Sequence, residues 1–406
     1  MKQVFHTIKT FWKLTILILL VVIAFSYAMF QGGFVSWFLF YSFLPFALYG
    51  LALSLYQPRK VEVERFFSKK ECKAGDELKV SIHLQRFSSF PLFYMVIEDQ
   101  LNDSLASAKK ESQEKTLVFP FFRRVVDFEY KIDELPRGEH LFRNIKIKIG
   151  DPLGLFEKTI IFPTKVDRII VYPAYEVLRY SVLNMRHEQG MAASNEKIQR
   201  DTSMVVGIRE YQPGDRFSWI NWKASAKRND MMTKEFEQRQ SQNVTIIMDC
   251  SPDTRFEGIV SLTASLVMSI LRTGSQVGLL TVSKDRINFP SRKGETHQHQ
   301  LFHHLAKVQG CCDIPFDQVL ERQAILRDAN GTNLIVTAKI SKELVEKIGS
   351  FVKKKQSAVI FLLKDTKEIP SVEELSLKAV LNARGIRVLI VNQGHFSDAF
   401  MGVDRS

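Results

Sequence analysis

The clearest candidate for chemistry is an aspartate that closes a short hydrophobic run, Val244 to Asp249. An apolar run of this length is typical of a buried strand in a parallel sheet. In open α/β sheets, ligands bind beyond the carboxyl ends of the strands, where the strand order reverses. We therefore expect Asp249 to lie at a ligand-binding edge.

A second concentration of functional residue types lies just upstream, between Gly207 and the end of that run. We expect Asp215 to cap a helix that begins at Arg216. Within that helix Trp219 and Trp222 would share one face. Packing in a core is the interpretation we favour for both indoles. The alternative is an exposed surface for a partner protein, since Trp and Arg dominate interface hot spots. The candidate partner-binding residues are Arg209, Glu210, Tyr211, Asp215, Trp219, Trp222 and Lys223.

Composition narrows the functional classes. A chain of 406 residues is long enough for two or three domains, and a charged fraction of 25% is that of a globular protein. The net charge of +12 is compatible with an anionic membrane surface or an acidic partner. Because no nucleic-acid-binding motif accompanies this charge, we do not expect nucleic acid as a partner. The cysteines, Cys72, Cys250, Cys311 and Cys312, form no CxxC pair, so we expect reduced thiols in a cytoplasmic protein.

Residues 1–58 are predicted to form a transmembrane helical hairpin. Leu14 to Phe30 and Phe34 to Tyr56 carry no charge, and each is long enough to cross a bilayer. Lysines precede the first segment and basic residues follow the second, so the positive-inside rule places both termini and the soluble domains in the cytoplasm at the plasma membrane. A cleaved signal peptide ending near Ala28 is the alternative, but it leaves the second segment unexplained.

Residues 59–172 are predicted to form an antiparallel β-sandwich of Ig-like size. Apolar residues alternate in Leu78–Leu84, Val125–Ile132 and Phe142–Ile149, and turn signals separate these runs. Residues 173–240 are predicted to be a linker, with Tyr180–Asp201 as a mobile loop, followed by the tryptophan-containing segment.

Residues 241–406 are predicted to form a doubly wound α/β domain. Apolar runs at Val277–Ser283, Leu334–Ala338, Val359–Leu363 and Val388–Val391 alternate with helical patterns at Phe256–Arg272, His297–Val308, Ser341–Lys354 and Ser371–Ala383. Such alternation is typical of a mainly parallel sheet with helices on both faces.

Two motifs are similar to the signatures of a bacterial family known as domain of unknown function number fifty-eight. The first comprises Arg209 to Asp215 and Ile220 to Lys227, and the second is Gly150 to Phe156. The resemblance implies a membrane-anchored protein with a von Willebrand factor A-like domain. It also implies a shared assembly with a MoxR-type AAA ATPase and a transglutaminase-like membrane protein.

The A-like domain implies a metal site of the pattern Asp-x-Ser-x-Ser. Asp249 and Ser251 match this pattern, and Asp253 replaces the second serine. Oxygen ligands of this kind suit Mg²⁺ or Mn²⁺. Lys339 would place a positive charge near such an ion, so a residual scaffold site without metal is the alternative that we favour. His299 and His303 have the spacing of helical metal ligands, yet no HExxH glutamate accompanies them, which favours a solvated helix face.

Taken together, the sequence favours a non-enzymatic adaptor that requires no cofactor and binds a protein partner through the A-like domain. One alternative is a metal-dependent hydrolase at the Asp249 strand edge. Another is a structural membrane protein that acts through the β-sandwich alone.

Overall fold

The computed structural model describes residues 2–56, 61–100, 115–152, 154, 156–178, 205–212, 215–236, 243–312, 314–321, 331–352, 357–366 and 368–401. The chain divides into two compact units, residues 1–172 and 173–406. The predicted mobile loop Tyr180–Asp201 lies outside the described residues.

The first unit begins with a helical hairpin. Helix α1 spans Lys2–Gln31 and helix α2 spans Phe34–Leu55. Gly32 and Gly33 join them with φ values of 60° and 98°, which glycine adopts without the steric cost that a Cβ would bring. Both helices contain a segment that is long and apolar enough to cross a membrane, Leu14–Gln31 and Phe34–Leu55. The orientation of the hairpin stays a prediction.

Two sheets follow the hairpin. Their strands are β1 Val61–Phe67, β2 Glu71–Lys73, β3 Leu78–Arg86, β4 Tyr94–Asp99, β5 Lys115–Val118, β6 Val125–Ile132, β7 Gly138–Gly150 and β8 Glu157–Tyr172. One sheet has the order β1-β3-β6 and the other has the order β2-β8-β7-β4-β5. All pairings are antiparallel except that of β2 with β8, which is parallel, so the predicted purely antiparallel arrangement needs this correction.

The alternation in the sequence produces the core of this β domain. Every second residue of β6 is buried, as the two-residue period of a strand requires. Ile82 and Phe128 of the smaller sheet share one hydrophobic cluster with Ile97 and Ile147 of the larger sheet. This arrangement is that of two sheets packed on a common core; the Ig-like topology stays a prediction.

Helix α2 packs against the β domain. The Gly50 backbone lies so close to Phe156 that a Cβ atom there would sit 3.4 Å from the Phe156 Cδ2. Phe156 ends the second signature, and its backbone N–H donates to the buried carboxylate of Asp151. Nζ of Lys158 donates to the carbonyl oxygens of Ser54 and Tyr56 at 3.0 and 2.6 Å, which satisfies acceptors at the end of the helix. Phe156 and Lys158 thus join the β domain to the hairpin.

The second unit contains an antiparallel hairpin and an α/β domain. The hairpin pairs β9 Val205–Glu210 with β10 Met232–Phe236. Between them lie a 3₁₀ turn at Phe217–Trp219 and helix α3 at Trp222–Arg228. The prediction of a helix from Arg216 was wrong, because Asn221 and not Asp215 is the N-cap, accepting from Ala224 N.

The α/β domain is built on a six-stranded sheet. Its strands are β11 Asn243–Met248, β12 Gln276–Val282, β13 Arg286–Arg292, β14 Gly331–Thr337, β15 Ser357–Lys364 and β16 Arg387–Asn392. The order is β13-β12-β11-β14-β15-β16, and all pairs are parallel except that of the edge strand β13, which is antiparallel to β12. The sequence analysis missed β13, whose residues are mostly exposed.

Helices cover both faces of this sheet. They are α4 Phe256–Arg272, α5 Glu295–Lys307, α6 Phe316–Glu321, α7 Lys342–Val352, α8 Val372–Ala383 and α9 Phe396–Met401. Leu344 of α7 and Leu381 of α8 share a core with Ile360 of β15. On the opposite face, Gly258 of α4 lies against Leu363 of the same strand. The helices therefore form two layers around a mixed sheet, as the predicted alternation requires.

Helix α4 also holds the start of the second unit. The Ser265 and Ser269 hydroxyls accept the backbone N–H groups of Glu176 and Leu178 at 2.9 and 3.1 Å. The Ser261 hydroxyl donates to the Ala174 carbonyl at 2.7 Å. Serines spaced four apart thus supply hydrogen-bond partners to the backbone of residues 174–178, which belong to no strand.

Candidate functional site

Asp249 directly follows β11, between the ends of two neighbouring parallel strands. Its backbone N–H donates to the Val336 carbonyl at 2.9 Å. One carboxylate oxygen accepts the Ser251 N–H at 2.9 Å, and the other accepts the buried hydroxyl of Thr337 at 2.7 Å. The side chain is therefore fixed at the carboxyl edge of the sheet, where the sequence placed it.

Asp253 lies on the same loop but contacts different groups. Its carboxylate accepts Nε and Nη2 of Arg255 at 3.0 and 3.2 Å. The Lys339 ammonium approaches the second carboxylate oxygen at 3.1 Å. The Arg255 hydrogen bond is the main reason why the Asp253 pKa lies well below its usual range, and Lys339 contributes to the same shift.

The charge chain continues along the edge beyond Arg255. Arg255 Nη1 lies 3.1 Å from a Glu368 carboxylate oxygen, and Glu368 accepts the ammonium of Lys364 at 2.9 Å. Lys364 also donates to Glu374 at 2.7 Å. Lys364 is 4% exposed, so its charge is tolerated because both carboxylates pair with it. The sequence analysis missed this chain, although Lys364 follows an apolar run just as Asp249 does.

Asp249 and Asp253 border a cleft of about 230 Å³. The charged side chains that line it are Asp249, Asp253, Asp317 and Lys339. Its apolar lining includes Ile259, Phe316 and Leu344. Three carboxylates and one ammonium group thus line the cleft beside an apolar wall.

The donor set fits a metal ion poorly. Asp249 already accepts a hydroxyl and an N–H, and Asp253 is paired with two protein cations. Within the described part of the chain, no group of at least three His, Cys, Asp and Glu side chains is arranged to hold a metal. Asp249, Ser251 and Asp253 do line one cleft, and their metal role stays a prediction.

The histidines of α5 are separated by their environments. His297 is buried, with Nε2 2.8 Å from the Val277 carbonyl, and His304 Nε2 lies 2.7 Å from the Thr281 hydroxyl. His299 and His303 are exposed, in agreement with the solvated face predicted for that pair. His297 lies on the same helix but is buried, so it does not belong to the solvated face.

The hairpin of β9 and β10 carries the first signature, and we call it the signature hairpin; it holds Arg209 beside Asp215. Arg209 donates to the Asp215 carboxylate at 2.7 Å, and Asp215 also accepts the Gln212 N–H at 3.1 Å. The Tyr211 ring stacks on Phe217 with centroids 6.3 Å apart. Pro213 and Gly214 lie outside the described residues. Asp215 therefore stabilises the turn instead of capping a helix.

The two indoles have different environments. Trp219 is half-buried under Arg216, whose guanidinium carbon lies 5.5 Å from the ring centroid. Trp222 is 66% exposed on the first turn of α3, and Lys223 beside it is exposed too. Ile220, between the indoles, is 3% exposed and supplies the packing instead. The favoured interpretation that both tryptophans pack in a core is therefore wrong for Trp222. Glu210 is exposed, and its carbonyl accepts a hydrogen bond from Arg209 at 3.0 Å.

Two solved structures with which the chain can be compared are distantly similar to it. A CARDB domain from Pyrococcus furiosus matches with a TM-score of 0.19 and 8% identity, over 28% of this chain and 92% of that one. Proximal thread matrix protein 1 from the mussel byssus matches with a TM-score of 0.29 and 13% identity, over 40% of this chain and 46% of that one. Scores this low carry no argument about fold or function.

Comparison with sequences is more informative. The family model described as "Protein of unknown function DUF58" matches residues 207–401, which include most of the signature hairpin and the six-stranded sheet of the α/β domain. The uncharacterized protein YeaD of Bacillus subtilis is 38% identical over 392 residues, covering 95% of this chain and 96% of the relative. The chain therefore belongs to the DUF58 family.

Proposed function

We propose that this protein is a membrane-anchored adaptor that binds a protein partner through the carboxyl edge of its α/β domain. The observation that carries the proposal is the cleft between Asp249 and Lys339, where fixed charges adjoin an apolar wall. The partner segment would place Lys or Arg against the carboxylates and an apolar residue against Phe316. This combination follows the usual anatomy of a recognition pocket, with an apolar lining and a few oriented polar groups.

The membrane anchor of the proposal is the hairpin of α1 and α2. Its apolar segments have the length that a bilayer crossing requires. Lys2, Lys9 and Lys13 precede the first segment, and the turn between the helices is uncharged. We therefore propose a cytoplasmic location for both termini and both soluble domains.

The partner that we propose to test first is a MoxR-type AAA ATPase, with a transglutaminase-like membrane protein as a further member of the assembly. Both classes come from the family resemblance. Their shared process would be the assembly of envelope-associated complexes. No catalytic step is assigned to the chain.

The test is crosslinking and affinity purification of the full-length chain from membranes, comparing the native protein with Asp249→Asn. An asparagine keeps the shape of the side chain, accepts the Ser251 N–H and donates to Thr337, so this variant should fold. We expect loss of the copurifying partner. Lys339→Ala removes a cation that pairs with Asp253 and repels a basic partner, so it should strengthen recovery. Lys342→Ala is the matched control, because both lysines are about equally exposed, at 74% and 73%, and only Lys339 of the two lines the cleft.

Recovery of the native chain without any ATPase or membrane partner would count against the adaptor. Equal recovery by all variants would place the contact outside the cleft. Titration calorimetry with Mg²⁺ or Mn²⁺ on the same proteins distinguishes the adaptor from the alternative, a metal-dependent hydrolase. The hydrolase requires that the native chain binds the metal and that Asp249→Asn abolishes this binding.

A further inference from the structure

Two loops of the β domain expose several phenylalanine rings. We call residues 87–93 and 119–124 the aromatic loops. The exposed rings and their exposed fractions are Phe87 at 54%, Phe93 at 40%, Phe119 at 55%, Phe121 at 49% and Phe122 at 70%. The loops are adjacent, since Leu92 and Phe121 form a β-bridge and the rings of Phe93 and Phe121 lie 6.1 Å apart. Clustered apolar exposure of this kind marks a contact surface more often than scattered single residues do.

A buried arginine fixes the aromatic loops in place. Arg86 is 2% exposed, and its guanidinium donates to the carbonyls of Phe90 and Phe121 at 3.1 and 3.2 Å and to that of Arg123. Burying a guanidinium is costly unless its donors are satisfied, and here backbone from both loops satisfies them. The phenylalanines are therefore presented by a built scaffold.

The aromatic loops touch helix α2 well inside its apolar segment. The Tyr49 hydroxyl donates to the Pro91 carbonyl at 3.0 Å, and its ring lies 4.8 Å from that of Phe93. Tyr49 precedes the helix end at Leu55 by six residues, which corresponds to about 9 Å along a helix. Amphipathic elements that lie in a membrane interface are embedded by about 5–10 Å, a comparable depth.

The charges around the aromatic loops suit an anionic lipid surface. No Asp or Glu occurs between residues 85 and 97 or between residues 115 and 126. Arg123 and Arg124 are exposed beside the rings, and Nε of Arg124 donates to Ser89 at 2.8 Å. Aromatic rings beside basic residues favour the boundary between headgroups and acyl chains.

We propose that the aromatic loops insert into the headgroup–acyl boundary of the bilayer that α1 and α2 cross, so that the β domain lies partly in the membrane. This proposal rests on the proposed membrane anchor and adds a second contact to it. The phenylalanines enter the boundary, and Arg123 and Arg124 pair with lipid phosphates. The β domain would then have a fixed orientation relative to the membrane surface.

The experiment places an environment-sensitive NBD label at single cysteines in the full-length chain. The background is Cys311→Ser, because the remaining native cysteines, Cys72, Cys250 and Cys312, are buried. The labelled variants are Phe122→Cys, Val22→Cys and Val166→Cys, at positions 70%, 53% and 57% exposed. Val22 lies in α1, and Val166 lies eight residues along β8 from Lys158, about 26 Å in an extended strand.

Each protein is reconstituted into vesicles of phosphatidylcholine and phosphatidylglycerol and exposed to doxyl-labelled lipid or aqueous iodide. We expect a blue shift and doxyl quenching at positions 22 and 122, and iodide quenching at position 166. Doxyl quenching at position 22 with iodide quenching at position 122 would overturn the inference and leave the anchor standing. Iodide quenching at both positions would overturn the anchor and the inference together. A label at position 122 shielded from both quenchers would also overturn it, because a protein contact then covers the loops.

Discussion

Arg65 pairs with Asp99 across the two sheets of the β domain, with Nη2 2.6 Å from Oδ1 and neither side chain exposed. Arg65 belongs to β1 of the smaller sheet, and Asp99 ends β4 of the larger one. Tyr130 donates its hydroxyl to the second Asp99 oxygen at 2.7 Å, and the guanidinium carbon lies 5.4 Å from the centre of the Phe142 ring. The ion pair is thus fully satisfied and connects both layers of the sandwich.

Replacement of Arg65 should therefore destabilise the β domain strongly. Among the described residues, Arg65→Met leaves the buried Asp99 carboxylate only the Tyr130 hydroxyl as a side-chain donor. Breaking a buried pair in this way costs about 3–5 kcal/mol. Arg168→Met is the control, because Arg168 is 62% exposed in its pair with Glu139, and exposed pairs contribute at most about 1 kcal/mol. Pulse proteolysis of the full chain in detergent across a urea series measures both. Equal midpoints would contradict a structural role for the buried pair.

A second prediction concerns the hydroxyl that holds Asp249. Thr337→Val keeps the shape of the residue but removes the donor at 2.7 Å, leaving a carboxylate oxygen without this partner at a site that is 7% exposed. An unsatisfied buried acceptor costs about 1–3 kcal/mol. We expect a lower Tm for the α/β domain by scanning calorimetry. Thr366→Val, which loses only an exposed hydrogen bond to the Gln393 carbonyl, should lower the Tm less. An unchanged Tm in Thr337→Val would show that water replaces the hydroxyl at no cost.

The sequence predicted those elements whose pattern is local. Val125–Ile132 and Phe256–Arg272 have the predicted bounds, because alternation and helical periodicity are properties of consecutive residues. The sequence also predicted the position of Asp249 at the sheet edge, because this residue directly follows an apolar run that forms a strand. Local patterns therefore predicted both the layers and the first residue of the site.

Local sequence patterns do not predict contacts between residues that are distant in the chain. Arg65 and Asp99 are 34 residues apart, and although each lies on the buried face of its own strand, no local pattern pairs one with the other. Arg255 and Glu368 are 113 residues apart, and no local pattern pairs them either. The prediction of a helix that starts after Asp215 was wrong for a different reason. The Asp215 carboxylate accepts a hydrogen bond from Arg209 and caps no helix, whereas Asn221 caps the helix that begins at Trp222.

The Asp253 pair should make the domain sensitive to acid. Because Arg255 and then Lys339 hold the Asp253 pKa below its ordinary value of about 4, the folded state binds this proton less readily than the unfolded chain. The stabilisation is complete above that ordinary value and is lost as the pH falls through the lower folded pKa. The native chain should exceed Asp253→Asn in Tm at pH 7, and the difference should shrink at low pH. Glu373→Gln is the control, since that carboxylate is 68% exposed in its pair with Lys342. A pH-independent difference would exclude this linkage.

The thiols should differ in reactivity according to access. Burial raises the pKa of the Cys250 thiol to about 12, and Cys72 and Cys312 are also buried, whereas Cys311 is half-buried. The thiolate is the reactive form, so N-ethylmaleimide should label Cys311 first in the folded protein. Peptide mass spectrometry over a time course checks this, with Cys311→Ser as the control and denaturant to release the buried thiols. Early labelling of Cys250 would show that the β11 edge opens.

Two nearby residues of the signature hairpin allow a packing role to be distinguished from a partner-binding role, because one side chain is exposed and the other is buried. Trp222 is 66% exposed and Ile220 is 3% exposed. If Trp222 contacts the proposed partner, Trp222→Ala should leave the Tm nearly unchanged and weaken partner recovery by about 30-fold, which corresponds to about 2 kcal/mol at an interface hot spot. Ile220→Ala should do the reverse and lower stability by about 2–5 kcal/mol through a buried cavity. Calorimetry and quantitative crosslinking on the same two variants distinguish the roles, with the exposed Lys227→Ala as a neutral control on α3. A stable Trp222→Ala protein with full partner recovery would remove the hairpin from the binding surface and leave the cleft at Asp249 as the site of contact.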